Sequence, residues 1–230
     1  VIPLLILAGG KASRLKSVST STPKYLMPIT PKKTFADFHL EWCRNQGFEH
    51  VLLSVGYFED QIRSYIGDGS SWGINVQYVS DGPTPAGTGG AVKNSLAYPF
   101  KDLAVTFGDT LLELNAQNLY EQYLEKKCEV FMTVFKNTVS GHVCNADWQN
   151  PLVAYSKSSP QPNWQFIDYG FMIFSRQWIE KLRQNPPFDL AVALEEASSK
   201  KSLFGTVISQ RFWEIGTPEA LDSFKQKFAF

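Results

Sequence analysis

The chain has 230 residues, 43% of them hydrophobic, and its 22 basic residues balance 22 acidic ones to a formal charge of zero. That size predicts one main core, no apolar run approaches the length of a membrane span, and a zero net charge removes the basic field by which proteins hold nucleic acid non-specifically. Cys43, Cys128 and Cys144 are odd in number and lack C-x-x-C spacing, which excludes a disulfide framework and a zinc site as expectations and suits a reducing cytoplasm.

Ile2 to Leu7 is an apolar run that reads as a buried strand, with no basic segment ahead of it of the kind a leader carries. It ends in Leu7-Ala8-Gly9-Gly10, followed by Arg14 and then Pro23-Lys24. Glycines at the carboxyl end of a strand admit a ligand close to the backbone, their N–H groups donate to phosphate oxygens, and nearby cations supply countercharge. A tight turn with two solvated charges is the plain alternative; the order of strand, glycines, arginine and Pro-Lys favours a nucleotide loop.

Phe35 to Trp42 has helical spacing and stops near Gly47, Val51 to Val55 reads as a strand, and a short helix from Glu59 to Tyr65 precedes a strand from Ile74 to Val79. A Gly-rich turn then enters a helix from Thr88 to Leu96, and Leu103 to Phe107 is a further strand. Strands alternating with helices predict a mostly parallel sheet covered on both faces. The second half is less regular. A helix from Ala116 to Lys126 leads to the apolar run Val130 to Phe135, and residues 137–163 are polar and turn-rich, with the pattern of hairpins laid over the sheet. Ile167 to Phe174 is a strand candidate, followed by helices at Gln177 to Arg183 and Leu190 to Ser199, a strand at Gly205 to Ile208, the piece Phe212 to Ile215, and a closing helix after Pro218.

Two carboxylates stand out by position. Asp109 follows the Leu103 to Phe107 strand through Gly108, at the sheet edge where open α/β proteins bind ligands, and Glu214 ends another apolar piece before Ile215-Gly216-Thr217-Pro218. An oxygen-only pair beside a phosphate loop suits Mg²⁺; a turn former and a surface acid are the plain readings. Gly87-Thr88-Gly89-Gly90-Ala91 opens a helix whose first N–H groups lack partners, though a simple loop-to-helix connection has the same look. Asp81 precedes this loop, where its carboxylate can accept from the N1–H and N2–H of guanine; an exposed turn aspartate is equally consistent. His39, His50 and His142 read as structural or surface residues, and no Ser-His-Asp or Cys-His nucleophile is present.

Taken together, Leu7-Ala8-Gly9-Gly10, Ser13-Arg14-Leu15, Pro23-Lys24, Gly87-Thr88-Gly89-Gly90-Ala91, Gly108-Asp109 and Ile215-Gly216-Thr217-Pro218-Glu219 resemble, in order and spacing and across almost the whole chain, the sugar-1-phosphate nucleotidylyltransferases. With the Ser54-Val55-Gly56-Tyr57 segment and the compact ending, the chain is most similar to the D-glycero-α-D-manno-heptose 1-phosphate guanylyltransferases of bacterial surface-polysaccharide pathways. The resemblance implies an α/β, Rossmann-like three-layer nucleotide-diphospho-sugar transferase fold with a mostly parallel, mixed central sheet. It implies a single domain, with a nucleotide-binding half over about residues 1–112 and a sugar-phosphate-binding half over about 113–230.

The implied reaction joins a nucleoside triphosphate and a sugar 1-phosphate into an NDP-sugar and pyrophosphate. Leu7, Ala8, Gly9, Gly10, Arg14, Lys24, Asp81, Gly87, Thr88 and Gly108 would hold the nucleotide, with Arg14, Lys24 and Asp109 catalytic and Asp109 with Glu214 holding Mg²⁺. Lys157, Asp168 and Gly170 would meet the sugar phosphate. Because a phosphate monoester's second ionisation lies at about 6, the attacking oxygen is already anionic near neutral pH and no general base is required. GTP with a heptose 1-phosphate is the expected pair; uridylyl or thymidylyl transfer to a hexose 1-phosphate stays open. The chain departs from the family pattern at Ala12 (usually Gly), Ser156 (usually Glu) and Glu214 (usually Asp), and Asp168-Tyr169 stands where Asn-Gly or Asn-Ala is common. These departures are the basis of a second reading, an inactive regulatory relative that binds nucleotide or NDP-sugar. The lack of any D-x-D pair argues against a glycosyltransferase.

Overall fold

A computed structural model describes residues 2–10, 21–82, 84–138 and 143–228. Leu4–Leu7 forms β1, and parallel neighbours flank it on both sides: β2 (His50–Val55), with β3 (Asn75–Ser80) beyond it, and β4 (Asp102–Phe107). β1, β2 and β4 are buried at successive positions because both faces are covered, whereas β3 at the sheet edge alternates exposed and buried residues. Leu4 and Ile6 pack into one core layer and Leu5 into the other, and Val51, Leu53 and Val55 oppose Leu52 in the same way. The first layer receives α1 (Phe35–Asn45), α2 (Glu59–Ile66), α4 (Ala116–Lys126) and α7 (Pro218–Phe228). The second receives α3 (Gly87–Asn94), α5 (Arg176–Glu180) and α6 (Leu190–Ser199). No described helix is long and apolar enough to cross a membrane.

Past β4 the sheet changes direction. β9 (Phe166–Ser175) lies between β4 and β6 (Val130–Lys136), antiparallel to both, and β10 (Leu203–Ile208) runs parallel to β6. The stretch expected to form hairpins over the sheet instead extends it: β7 (Ala146–Gln149) and β8 (Leu152–Tyr155) pair with each other, β8 pairs with β10 at Phe204, and β7 reaches β9 at Phe166. The backbone groups on the open side of β10 thereby gain partners, including the Gly205 N–H, which donates to the Pro151 carbonyl at 2.9 Å. The result is one nine-stranded sheet in the order β3-β2-β1-β4-β9-β6-β10-β8-β7. A separate two-stranded ladder joins β5 (Thr110–Leu111) to β11 (Trp213–Glu214), with Glu214 opposite Thr110. Helix ends also differ from expectation. α5 stops at Glu180 where a helix to Arg183 was predicted, and α3 begins at Gly87 and passes into a 3₁₀ turn at Ser95–Ala97.

Between the pairs Met132–Met172 and Val134–Asp168, only Thr133 of β6 faces the segment Tyr169 to Phe171 of β9. This bulge turns on Gly170, whose φ of +94° favours glycine. It is fixed by two threonines: Thr133 Oγ1 donates to the Phe171 carbonyl at 2.7 Å and Thr106 Oγ1 to the Gly170 carbonyl at 3.0 Å. Bulges re-aim side chains, and this one sets Asp168.

Candidate active site

The carboxyl ends of the four parallel strands open on one cleft. Leu7, Ala8, Gly9 and Gly10 line it after β1, Ser54 and Tyr57 at the end of β2, Asp81 after β3, and Phe107, Gly108 and Asp109 after β4. Lys24, Gly87 and Thr88 complete the wall with Tyr25, Pro85 and Ala91. The cleft lies where strand order turns from β3-β2-β1 to β4, the switch point at which open α/β sheets bind ligands. Every described residue that the sequence assigned to the nucleotide lines this one cleft; Arg14, like Ala12, lies outside the described residues.

Lys24 enters the site from a 3₁₀ turn, Lys24–Leu26, which Pro23 introduces with φ −59° and which is anchored by burial of Tyr25 and Leu26. Its ammonium meets the Asp109 carboxylate at 2.9 Å. The β5–β11 ladder brings Glu214 to the same place, since the Ile215 N–H donates to the Asp109 carbonyl at 2.9 Å. Gly216 shows how close these groups stand: a Cβ built there lies 3.3 Å from Glu214 Oε2 and 4.0 Å from Lys24 Nζ. Lys24 and Asp109 thus meet in the wall of the cleft that holds Gly9 and Gly10, and Glu214, which does not line that cleft, comes up near Lys24 at Gly216. The acids supply oxygen only, and no group of three or more His, Cys, Asp or Glu suited to a metal forms among the described residues, here or elsewhere. Such a pair fits a hard cation that keeps water and substrate phosphate as its other ligands.

Asp81 packs against the loop glycines, its Oδ2 lying 3.3 Å from a Cβ built on Gly9 and 3.1 Å from one built on Gly56. Burial raises its carboxyl above the ordinary range, the Ala86 N–H works against that, and the Glu59 charge adds to the rise. Its Oδ1 is buried without a hydrogen-bond partner in the protein. Such an acceptor is costly unless a ligand supplies the donor.

On the far side, Asp168 accepts the Gly170 N–H at 2.8 Å and its own N–H donates to Asn145 Oδ1 at 2.9 Å. Gly170 is therefore a buried shaping residue of the bulge, packed against Phe107 of the cleft wall. Burial pushes the Asp168 carboxyl up to about 6, against the Gly170 N–H and the Lys157 charge, which both favour the anion. An aspartate raised this way binds its proton more tightly folded than unfolded, so stability falls as pH rises through the window from about 4 to about 6. Asp168→Asn is expected to flatten that part of the stability profile, which denaturant melts at pH 4.5 and 6.5 on both proteins check.

Lys157 stands apart from the cleft wall, on a turn held by Glu195 of α6, whose Oε1 accepts the Lys157 and Ser158 N–H groups at 2.7 and 2.8 Å and the Ser156 hydroxyl at 3.0 Å. The Lys157 ammonium pairs with Asp189, the N-cap of α6. Sequence reading passed over Asp189 and Glu195. The cap is legible as an Asp before an apolar helix, whereas its pairing with a lysine on another segment is not.

His39 lies in the aromatic core between Tyr25, Phe35 and Trp42, and burial pushes its pKa down to about 3, so it stays neutral at neutral pH. His50 opens β2 at the surface, and His142 lies outside the described residues.

A Gly-lined cleft at a switch point, with a lysine and an aspartate paired in its wall, defines an α/β protein built to handle a nucleotide's phosphates. Residues 4–142 match the nucleotidyl transferase family, and the chain belongs to that family. It is 32% identical over 217 residues to the D-glycero-α-D-manno-heptose 1-phosphate guanylyltransferase of Aneurinibacillus thermoaerophilus, covering 94% of this chain and 93% of the relative. It is 26% identical over 226 residues to the mannose-1-phosphate guanylyltransferase of Mycobacterium tuberculosis, covering 95% of this chain and 62% of that one. Among solved structures, HddC from Yersinia pseudotuberculosis superposes with a TM-score of 0.84 at 26% identity, covering 99% of this chain and 100% of HddC. A structure of HddC complexed with GMP-PN gives a TM-score of 0.83 over the same coverage. The expected α/β transferase fold with its mixed central sheet is therefore the fold of this chain.

Proposed function

We propose that this chain is a Mg²⁺-dependent sugar-1-phosphate guanylyltransferase that makes a GDP-heptose and pyrophosphate from GTP and a heptose 1-phosphate, in the cytoplasm. The observation that carries the reading is the meeting of Lys24 and Asp109 in the cleft lined by Gly9 and Gly10, with Glu214 close by at Gly216. An anionic oxygen of the sugar phosphate attacks the α-phosphorus of GTP, the new P–O bond forms, and the bond to the β-phosphate breaks to release pyrophosphate. The protein's part is positioning and charge compensation. Lys24 would bridge the nucleotide and sugar phosphates, and Lys157 would be the cation for the sugar phosphate. Asp109 and Glu214 would hold Mg²⁺, which when bound neutralises the triphosphate.

Guanine is favoured by Asp81, because a buried carboxylate oxygen lacking a donor matches the adjacent N1–H and N2–H of that base. The names of the relatives and the GMP-PN complex of HddC agree with this choice. Glu214 does not support an inactive relative, since its carboxylate is turned toward the same point as Lys24. Thermal unfolding with Mg²⁺ and each of GTP, ATP, UTP, CTP and dTTP tests the assignment. At a hundredfold excess over Kd, GTP is expected to raise the melting temperature by roughly 5–10 °C. Asp81→Asn should erase the preference over the other bases. Equal rises for all five nucleotides would overturn the guanine assignment, and no rise with any would overturn the nucleotide site.

A further inference from the structure

We propose that Asp189 is a positioning residue that ties the two substrate subsites together, one oxygen of its carboxylate held by the nucleotide loop and the other holding the lysine of the sugar-phosphate site. The proposal rests on the reading above, in which Thr88 belongs to the nucleotide subsite and Lys157 to the sugar-phosphate subsite. Asp189 Oδ1 accepts the Thr88 hydroxyl at 3.1 Å and the Ala191 N–H at 3.0 Å. Its Oδ2 takes the Lys157 ammonium. Thr88 is itself oriented, because its Oγ1 accepts the Leu190 N–H at 2.8 Å.

The segment carrying Asp189 is locked to the glycine loop by backbone. The Gly89 N–H donates to the Phe188 carbonyl at 3.0 Å, and the Phe188 N–H donates to the Ala86 carbonyl at 3.1 Å. Gly87, at φ +75°, and Gly89 leave no room for a Cβ, since one built on either meets Phe188 below van der Waals contact. Lys157 is 60% exposed and its long side chain has many rotamers of its own. The rigid cap restricts it, and an ammonium has three donors, so it can keep Asp189 while giving another to a phosphate. Positioning of this kind lowers the entropy lost when the sugar phosphate binds.

Steady-state kinetics with GTP and D-glycero-α-D-manno-heptose 1-phosphate test the proposal on the unaltered chain, Asp189→Asn, Lys157→Ala and the double variant. Asparagine keeps an acceptor for Ala191 and Thr88 and is itself a good N-cap, while the oxygen that holds Lys157 becomes an NH2 donor, so both the charge and the acceptor facing that ammonium are lost. The expected result for Asp189→Asn is a rise of roughly three- to fivefold in the sugar-phosphate KM, the upper range for an ion pair that is about half exposed. The GTP KM should stay within about twofold, since its contacts remain. In the Lys157→Ala background the same change should add nothing, because the two residues act as one unit. An unmoved or lowered sugar-phosphate KM would overturn the proposal, as would additive effects, or equal changes in both KM values with a fallen melting temperature. No pyrophosphate release by the unaltered chain, or a Lys157→Ala variant with normal sugar-phosphate KM, would overturn the underlying reading and the proposal with it.

Discussion

Asp109→Ala is expected to lower turnover by roughly a hundredfold or more, the cost typical of removing one preorganised electrostatic group from a reacting centre. The side chain stands just past β4, 2.9 Å from Lys24, and its loss takes away one of the two acids that converge there. The fold should survive. The tie between β5 and β11 at this residue runs through the Asp109 carbonyl, which accepts the Ile215 N–H and does not need the carboxylate. Lys24, whose side chain is only 16% exposed, loses its partner and the Thr110 hydroxyl loses an acceptor at 3.1 Å, so the unfolding temperature should fall by several degrees without loss of the fold. Pyrophosphate release and circular dichroism on the same preparation check both halves. A variant keeping more than a tenth of normal turnover would remove Asp109 from the mechanism.

Lys24→Met carries the second large effect. Methionine retains the buried stem of the side chain and deletes only the charge, so packing of the turn over Tyr25 and Leu26 is preserved. Charge that develops on the phosphate oxygens in the transition state then meets no lysine, and kcat should fall by roughly 10²–10³ while the GTP KM changes little. That split distinguishes a group working in the transition state from one that only binds ground-state substrate. A rise in KM with kcat intact would assign Lys24 to binding alone.

The part of the cleft formed by β1 to β4 is written locally. Leu4 to Leu7 and Val51 to Val55 are buried on both faces, so their composition announces them, and the glycines that follow β1 and precede α3 mark where backbone approaches a ligand. The second half of the chain is built by contacts between segments far apart in sequence. Trp213–Glu214 is a strand of two residues, too short to show a period, and it exists because Thr110–Leu111 offers it a partner. The insertion of β9 antiparallel between β4 and β6 likewise depends on pairing that no single segment encodes. Asp168 was legible as a candidate, but its setting was not, because the bulge at Gly170 arises only when β9 is matched against Thr133 and Thr106. Asp189 shows the same limit, since a helix cap is a local signal and its grip on Lys157 and Thr88 is not.

The most direct test of the central claim is to incubate the protein with Mg²⁺, GTP and D-glycero-α-D-manno-heptose 1-phosphate and to quantify both products. The account predicts GDP-heptose and pyrophosphate in equal amounts, formed only when both substrates are present. Pyrophosphate or phosphate released from GTP without the sugar nucleotide, or GTP left intact beside an ordered, nucleotide-bound protein, would contradict it.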